Sequence, residues 1–466
     1  MTVEVSSLII FLLVTLIICH PYGRRNIRGS SLIGFFTFYR LSRYLNITKT
    51  SSILASSVFT VFYSTTHTGH AQLLLVGMSP LLMYLAAKSF NNFNKTKFYK
   101  YAALSSLTYG AMALTGFYVT YFTTLYLIVF SLIYLCINRR AVEFLFTKQS
   151  IKKIIIWSTF AVLSLIPFLV VYLQKLKETG GHPYSEIKKH LPKLQDIVNI
   201  GDHSLLWGSS LTELLTGSRF QFSEGELKLG FGLVFFICFI FASLYILIKY
   251  TNNIDDKKEA KWVAIAISTI ILIFSVIDFG IGSLWKNVYS YVPGGKGLRV
   301  VSRIYIFLSL PATLVIFKVI DDLLKASGTI HKNISLALVV LFIFIEQINT
   351  APFVALDAKE QFSFLKELPI PPQECKVFYA KNPSGFSFDD PNVDSYYRVN
   401  VRAMLVSSFF NIPTIIGVAS FAPPDWNFTY DPPGTFDERV LKYAQKHDIH
   451  KDLCVLDITN KSWSKI

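Results

Sequence analysis

Charge is scarce in this sequence. Only 16% of its 466 residues are Asp, Glu, Lys or Arg, 52% are hydrophobic, and the mean hydropathy is +0.44. Soluble globular chains carry about a quarter charged residues, so an ordinary soluble domain is excluded. Acidic residues are scarcer still: neither Asp nor Glu occurs from Val5 to Val142. Carboxylate chemistry is therefore excluded from that whole stretch. Cysteine is sparse, with five in all and no metal-type spacing among them. Cys19, Cys136 and Cys238 lie in apolar segments and are expected to be small buried residues. Cys375 and Cys454 lie in the polar tail and are candidates for a disulfide if the tail faces an oxidising compartment. No internal repeat is visible.

What is present is a succession of apolar runs of 15 to 23 residues separated by short basic patches. One such run fits a buried core helix; about eleven of them fit a polytopic helical membrane protein. The segments are placed at 4–19, 30–47, 50–66, 71–88, 101–117, 121–137, 153–173, 229–249, 261–282, 302–324 and 333–349. The first has neither the charged start nor the cleavage site of a signal peptide. The net charge of +15 is uneven: Met1–Thr350 holds 33 Lys plus Arg against 16 Asp plus Glu, and the remainder holds 12 against 14. The basic excess is thus a topology signal and a lipid-headgroup contact, not a nucleic-acid surface.

Alternate connections carry 19 basic residues, among them Arg40, Lys95, Arg140, Lys257 and Lys325, against seven on the opposite side. This puts the N-terminus inside and the C-terminal tail outside, with Arg24, Arg25 and Arg28 against the rule. The fold class predicted is an all-α polytopic membrane domain over 1–350, with a large outer loop at 174–228. A small extracytoplasmic α/β domain follows over 351–466. In that tail "DAKEQFSFLKELP" and "TFDERVLKYAQKHD" read as helices. "CKVFYA", "IPTIIGVAS" and "DLCVLDI" read as strands.

Candidate chemistry gathers on the outer side. The loop offers His182, Glu186, His190, Asp202, His203 and Glu213, and "EGELKLGFG" brings Glu224 and Glu226 to the mouth of the next helix. Glu186 and His190 are one helical turn apart, the spacing of a shared ligand or of a polar face on a surface helix. Asp278 and Glu346 lie near outer helix ends, where a carboxylate is either functional or a cap. "GGKGLRVVSR" places Lys296, Arg299 and Arg303 beside a helix start, which suits a phosphate or pyrophosphate. His67 and His70 are three apart, but Gly69 between them argues for a turn rather than a metal pair. At that turn His70 and Gln72 are placed to hydrogen-bond a sugar or phosphate, or to cap the following helix. No metal ligand set is read.

Several of these stretches resemble one family. "THTGHAQLLLVGMSPLLMYLA", "YVPGGKGLRVVSRIYIFLSL", "SEGELKLGFGLVFF" and "NIPTIIGVASFAPPDW" follow one another as in GT-C-fold glycosyltransferases and YfhO-like bacterial membrane proteins. The resemblance implies transfer of a sugar from a polyprenyl-phosphate donor to a cell-surface glycan, lipid or protein acceptor. The setting it implies is the inner (plasma) membrane, and such chemistry is compatible with a divalent metal. Lys296, Arg299 and Arg303 then serve the departing phosphate, with His70 and Gln72 nearby. The base comes from Asp202, Glu213, Glu224 or Glu226, Asp202 first. The family's catalytic carboxylate lies in its first outer loop, where this chain has none. The chain is accordingly expected to start partway along the family's layout, and to be incomplete or inactive unless another carboxylate serves. A flippase component and a noncatalytic scaffold are the alternatives; the scarcity of polar residues at the helix centres weighs against the first.

Overall fold

A computed structural model describes residues 25–66, 70–223, 225–251, 259–326, 330–350, 358–381, 393–418, 425–426, 428 and 436–466. The chain is mostly helical. The predicted segment at 4–19 lies outside the described residues. Each later segment overlaps a helix: Arg25–Tyr44, Lys49–Thr66, Ser79–Asn91 after a 3-10 stretch at Ala71–Met78, Lys97–Thr115, Phe117–Ile137, Lys148–Thr179, Leu233–Thr251, Ala260–Ser275, Ile304–Lys325 and Ile330–Glu346. Among the described residues, five helices are long and apolar enough to cross a membrane. The segment predicted over 261–282 is shorter than expected. Its helix ends at Ser275 because Asp278, Gly280 and Gly282 build a turn there.

The chain divides into two compact units: Met1–Tyr172 with His182–Pro352, and Leu173–Gly181 with Phe353–Ile466. The first is organised around the Ile304–Lys325 helix, which is apolar on every side from Ile304 to Phe317. Of the most apolar window in Val301–Lys325, 94% is buried, as expected of a helix without a polar face. The Lys49–Thr66, Phe117–Ile137, Leu233–Thr251 and Ala260–Ser275 helices pack around it. In Lys49–Thr66 the buried Ser52, Ala55 and Ser56 keep the contact face small, and Ser56 Oγ donates back to the Ser52 carbonyl at 2.6 Å. Small faces of this kind let helix backbones approach closely. Lys148–Thr179 is the opposite case, with none of its apolar window buried.

The second unit holds a three-stranded sheet. Strand β1 (Val377–Lys381) pairs in parallel with β2 (Leu453–Asp457), and β2 pairs antiparallel with β3 (Ser462–Lys465). A disulfide joins Cys375 to Cys454, with their Cα atoms 5.5 Å apart. Helices Ala358–Glu367 and Phe436–Lys446 match the sequence reading. The described part of "IPTIIGVAS", Ile412–Val418, does not become a strand. Phe378 pairs with Thr414 in an isolated bridge, and Ile415 N donates to the Phe378 carbonyl at 2.9 Å. Pro413 has no amide to extend the ladder, and Asn411 turns the chain at φ 56°. Two elements were not foreseen. The Val393–Phe410 helix buries Val399, Ala403 and Val406, the i, i+4, i+7 stripe of a core-facing helix. β3 is held by Trp463, whose ring meets Phe378 at 5.2 Å and whose Nε1 donates to the Pro369 carbonyl at 2.9 Å.

Two buried carboxylates close helix starts in the first unit. Asp321 accepts from Thr48 N at 3.1 Å, ahead of the Lys49–Thr66 helix, and from Lys325 Nζ at 2.6 Å. Glu346, 1% exposed, accepts from Val234 N at 2.9 Å and Phe235 N at 2.8 Å at the start of Leu233–Thr251. It also accepts from Trp207 Nε1 at 2.6 Å. The free amides of a helix start favour an anion in that position. Glu346 is thus a cap. Gly232 lets it in: φ there is +82°, and an added Cβ would lie 2.6 Å from Glu346 Cδ.

Gly232→Ala is therefore expected to lower stability by about 2–4 kcal/mol, through strain at positive φ and displacement of the cap. Glu346→Ala is expected to do the same by leaving three donors without their acceptor. Thermal unfolding of the detergent-solubilised chain checks both.

Candidate functional site

A cluster of converging charge forms around Glu226, on the short turn Gly225–Leu227. Its main-chain carbonyl accepts from Ser302 Oγ at 2.9 Å, which ties the turn to the start of the central helix. Its carboxylate accepts from Arg303 Nε at 3.0 Å and from Nη2 of the same residue. Arg303 is 5% exposed and lies 4.9 Å over the Tyr118 ring. A guanidinium so placed is held by a fork of hydrogen bonds and a π face together. His70 completes this half. Its Nε2 is 3.0 Å from Arg303 Nη2, and since guanidinium only donates, the ring nitrogen accepts.

Arg299 lies at the open side of the same cluster. Its guanidinium is 3.8 Å from Glu226 and 3.9 Å from Glu186, both outside hydrogen-bond range, and the side chain is 40% exposed. Its backbone is fixed: Arg299 N donates to Tyr118 Oη at 2.9 Å. Glu186 sits on the Tyr184–Lys188 helix, with Oε2 3.1 Å from His182 Nδ1. His182 is itself anchored, its N donating to the Lys296 carbonyl at 2.9 Å and its carbonyl accepting from Tyr289 Oη at 3.2 Å.

Burial is the largest cause of lowered pKa values at three histidines here. At His70 the Arg303 charge adds to burial; at His190 the Arg299 charge does so. At His182 burial outweighs the raising effect of Glu186, and Arg299 lowers it further. All three are neutral near pH 7. The cluster then balances, with Glu186 and Glu226 against Arg299 and Arg303. Among the described residues, no three or more His, Cys, Asp or Glu side chains converge as a metal site.

The residues expected from sequence fall into two sets. His70, Arg299 and Arg303 come together. His70 does not cap the following helix with its side chain, because its ring is taken by Arg303. Gln72 is exposed. Lys296 is exposed with Nζ 5.8 Å from the centre of the Tyr289 ring. Arg303 is committed to Glu226 and so is a brace more than a free phosphate ligand. Asp202, the first-choice base, is elsewhere engaged: Lys228 Nζ donates to it at 2.8 Å and Thr212 Oγ1 also donates. Hydrogen bonds from Lys228 and then Thr212 lower its pKa. Glu213 is exposed and accepts from Ser209 Oγ. Glu224 and His67 lie outside the described residues. The Glu186–His182 pair and Tyr118 were not singled out as a unit. Their spacing of four is in the sequence, but nothing there brings Arg299 to them.

No protein-family model matches the chain, and no curated protein does.

The histidines make the fold acid-sensitive. Each has its folded-state pKa below the ordinary 6.5, so the unfolded chain binds more protons once pH falls below that value. Stability is then full above about pH 6.5 and declines as pH falls. Asp202 adds to this below its ordinary 3.8. Melting temperature is expected to fall from pH 7 to pH 5, and the fall is expected to be smaller in His70→Gln. Arg303→Ala is expected to cost about 2–4 kcal/mol at pH 7 by leaving Glu226 and the His70 acceptor unpaired. Denaturant unfolding of the variant and the parent chain reads this.

Proposed function

We propose that the chain is a multi-pass membrane glycosyltransferase of GT-C type, with about eleven spans. On this reading it takes a sugar from a polyprenyl-phosphate donor at the outer face of the inner (plasma) membrane. The acceptor is a glycan, lipid or protein of the cell envelope. Among the described residues, five helices long and apolar enough to span support the membrane setting. The Cys375–Cys454 disulfide supports an oxidising compartment for the second unit.

The observation that carries the chemical reading is Arg299. It is a half-exposed guanidinium with donors to spare, standing between two carboxylates, of which Glu186 is oriented by His182. In the proposed reaction Glu186 takes the proton from the acceptor hydroxyl. The acceptor oxygen bonds to the anomeric carbon as the bond from that carbon to the phosphate oxygen breaks. The departing phosphate carries the negative charge toward Arg299. Glu226 and Arg303 hold the arginine loop in place and take no proton. Asp202, already paired with Lys228, is not the base on this reading.

Transfer of labelled sugar from a polyprenyl-phosphate donor in proteoliposomes tests the assignment. Glu186→Gln is expected to lower turnover by about 10²–10⁴-fold with donor binding retained. Arg299→Ala is expected to lose donor binding, and Asp202→Asn to retain activity. Unchanged turnover in Glu186→Gln rejects it as base, and equal donor binding by Arg299→Ala rejects the phosphate role.

A further inference from the structure

An apolar tip projects between the Ala260–Ser275 and Trp285–Tyr291 helices. Phe279 is 51% exposed, Ile281 100% and Leu284 60%, and Tyr291, at the far end of the second helix, is 82% exposed. This is a built turn. Asp278 N donates to the Pro192 carbonyl at 2.8 Å, Asp278 Oδ1 accepts from Gly280 N at 3.0 Å, and Phe279 N donates to the Gly282 carbonyl at 3.1 Å. Ser283 Oγ donates to the Ser275 carbonyl at 3.1 Å and accepts from Trp285 N at 3.2 Å. Gly280 and Gly282, at φ +85° and +139°, supply backbone angles that an L side chain resists. Trp285, wholly buried, anchors the far end. The fold thus holds a hydrophobic point away from its own core.

Helix length indicates what covers it. Ala260–Ser275 has 16 residues, about 24 Å at 1.5 Å per residue. A bilayer's hydrocarbon core is about 30 Å thick, so this helix alone falls short. The turn continues its apolar length by Phe279, Ile281 and Leu284. Part of its polar backbone is engaged, at Asp278 N, Phe279 N and Gly280 N, and Asp278 directs an oxygen to Gly280. Irregular backbone of this kind belongs at the wet headgroup boundary, with only its side chains reaching the hydrocarbon. Exposed Lys286 and Tyr291 follow directly, a cation and an aromatic suited to headgroup level.

We propose that the Asp278–Tyr291 segment is an interfacial anchor. Phe279, Ile281 and Leu284 enter the boundary of the acyl region, and Lys286 meets the lipid phosphates. The anchor rests on the membrane reading above and is independent of the transfer chemistry. It seats the Arg299 loop, which follows in the chain, at a fixed depth beside lipid headgroups.

Site-directed fluorescence in phospholipid nanodiscs tests it. Ile281→Cys and, as a reference, Leu163→Cys on the Lys148–Thr179 helix are each placed in the full chain lacking Cys19, Cys136 and Cys238. Each is labelled with an environment-sensitive dye. Position 281 makes no packing contact that a cysteine would lose. The label at 281 is expected to be blue-shifted from its emission in water and quenched by phosphatidylcholine spin-labelled near the headgroup. The label at 163 is expected to be quenched by lipid spin-labelled deep in the chain. A water-like, unquenched label at 281 with a quenched label at 163 overturns the anchor and leaves the membrane reading standing. Absence of quenching at both positions overturns the membrane reading and the anchor with it.

Discussion

Glu346 closes the start of the Leu233–Thr251 helix from the last turn of another helix, and much of the long loop hangs from that contact. The same carboxylate takes the Trp207 indole, and the Glu346 carbonyl accepts from Ser204 at 3.0 Å. Gln347 beside it donates to the Phe231 carbonyl at 2.7 Å. Phe231 N and Gly230 N then donate to the Ile197 and Asn199 carbonyls, both at 2.7 Å. Glu346 shares the task of holding this loop with Asp196, also wholly buried, which accepts from Ser223 N and Lys193 N, both at 2.8 Å. Glu226 lies between these two anchors and is tied to the central helix start by Ser302, so its meeting with Arg303 follows from tertiary contacts and not from local sequence.

The cluster itself is an exercise in balance. Two carboxylates, two guanidinium groups and three neutral histidines share a small volume without net charge. The buried half, Arg303 with Glu226 and Tyr118, is fully paired and fixes geometry. The exposed half, Arg299 with Glu186, is paired loosely enough to exchange partners with a ligand. A buried ion pair that lost one member would leave an uncompensated charge, so the inner half tolerates little change. The outer half has water to compensate it.

Much of the helical architecture was legible in the sequence, because apolar runs separated by basic patches have few other solutions. The ends were less so. The helix predicted to reach residue 282 stops at Ser275, where an aspartate and two glycines offer the backbone a better-bonded turn. In the second unit the period of "VNVRAMLV" suits either a strand or a helix in isolation, and burial of Val399, Ala403 and Val406 on one stripe decides for the helix. "IPTIIGVAS" has strand-like composition, yet Pro413 denies it a ladder bond. Of the candidate site, the arginines and His70 were legible as rare polar groups near apolar segments. Asp202 is paired with Lys228, a partner 26 positions away in the chain that cannot be read from its neighbours.

Sequence by itself determined that this chain forms a succession of apolar helices, that its basic residues cluster between them, and that no carboxylate serves from residue 5 to 142. Those are matters of composition and period, which act locally. Tertiary structure alone decided which scarce charges neutralise one another: Glu226 with Arg303, Asp202 with Lys228, and Glu346 with the Leu233–Thr251 helix start. The reason is the cost of leaving an ion unpaired away from water. That cost is met by whichever partner the packed helices bring within reach, however distant in sequence.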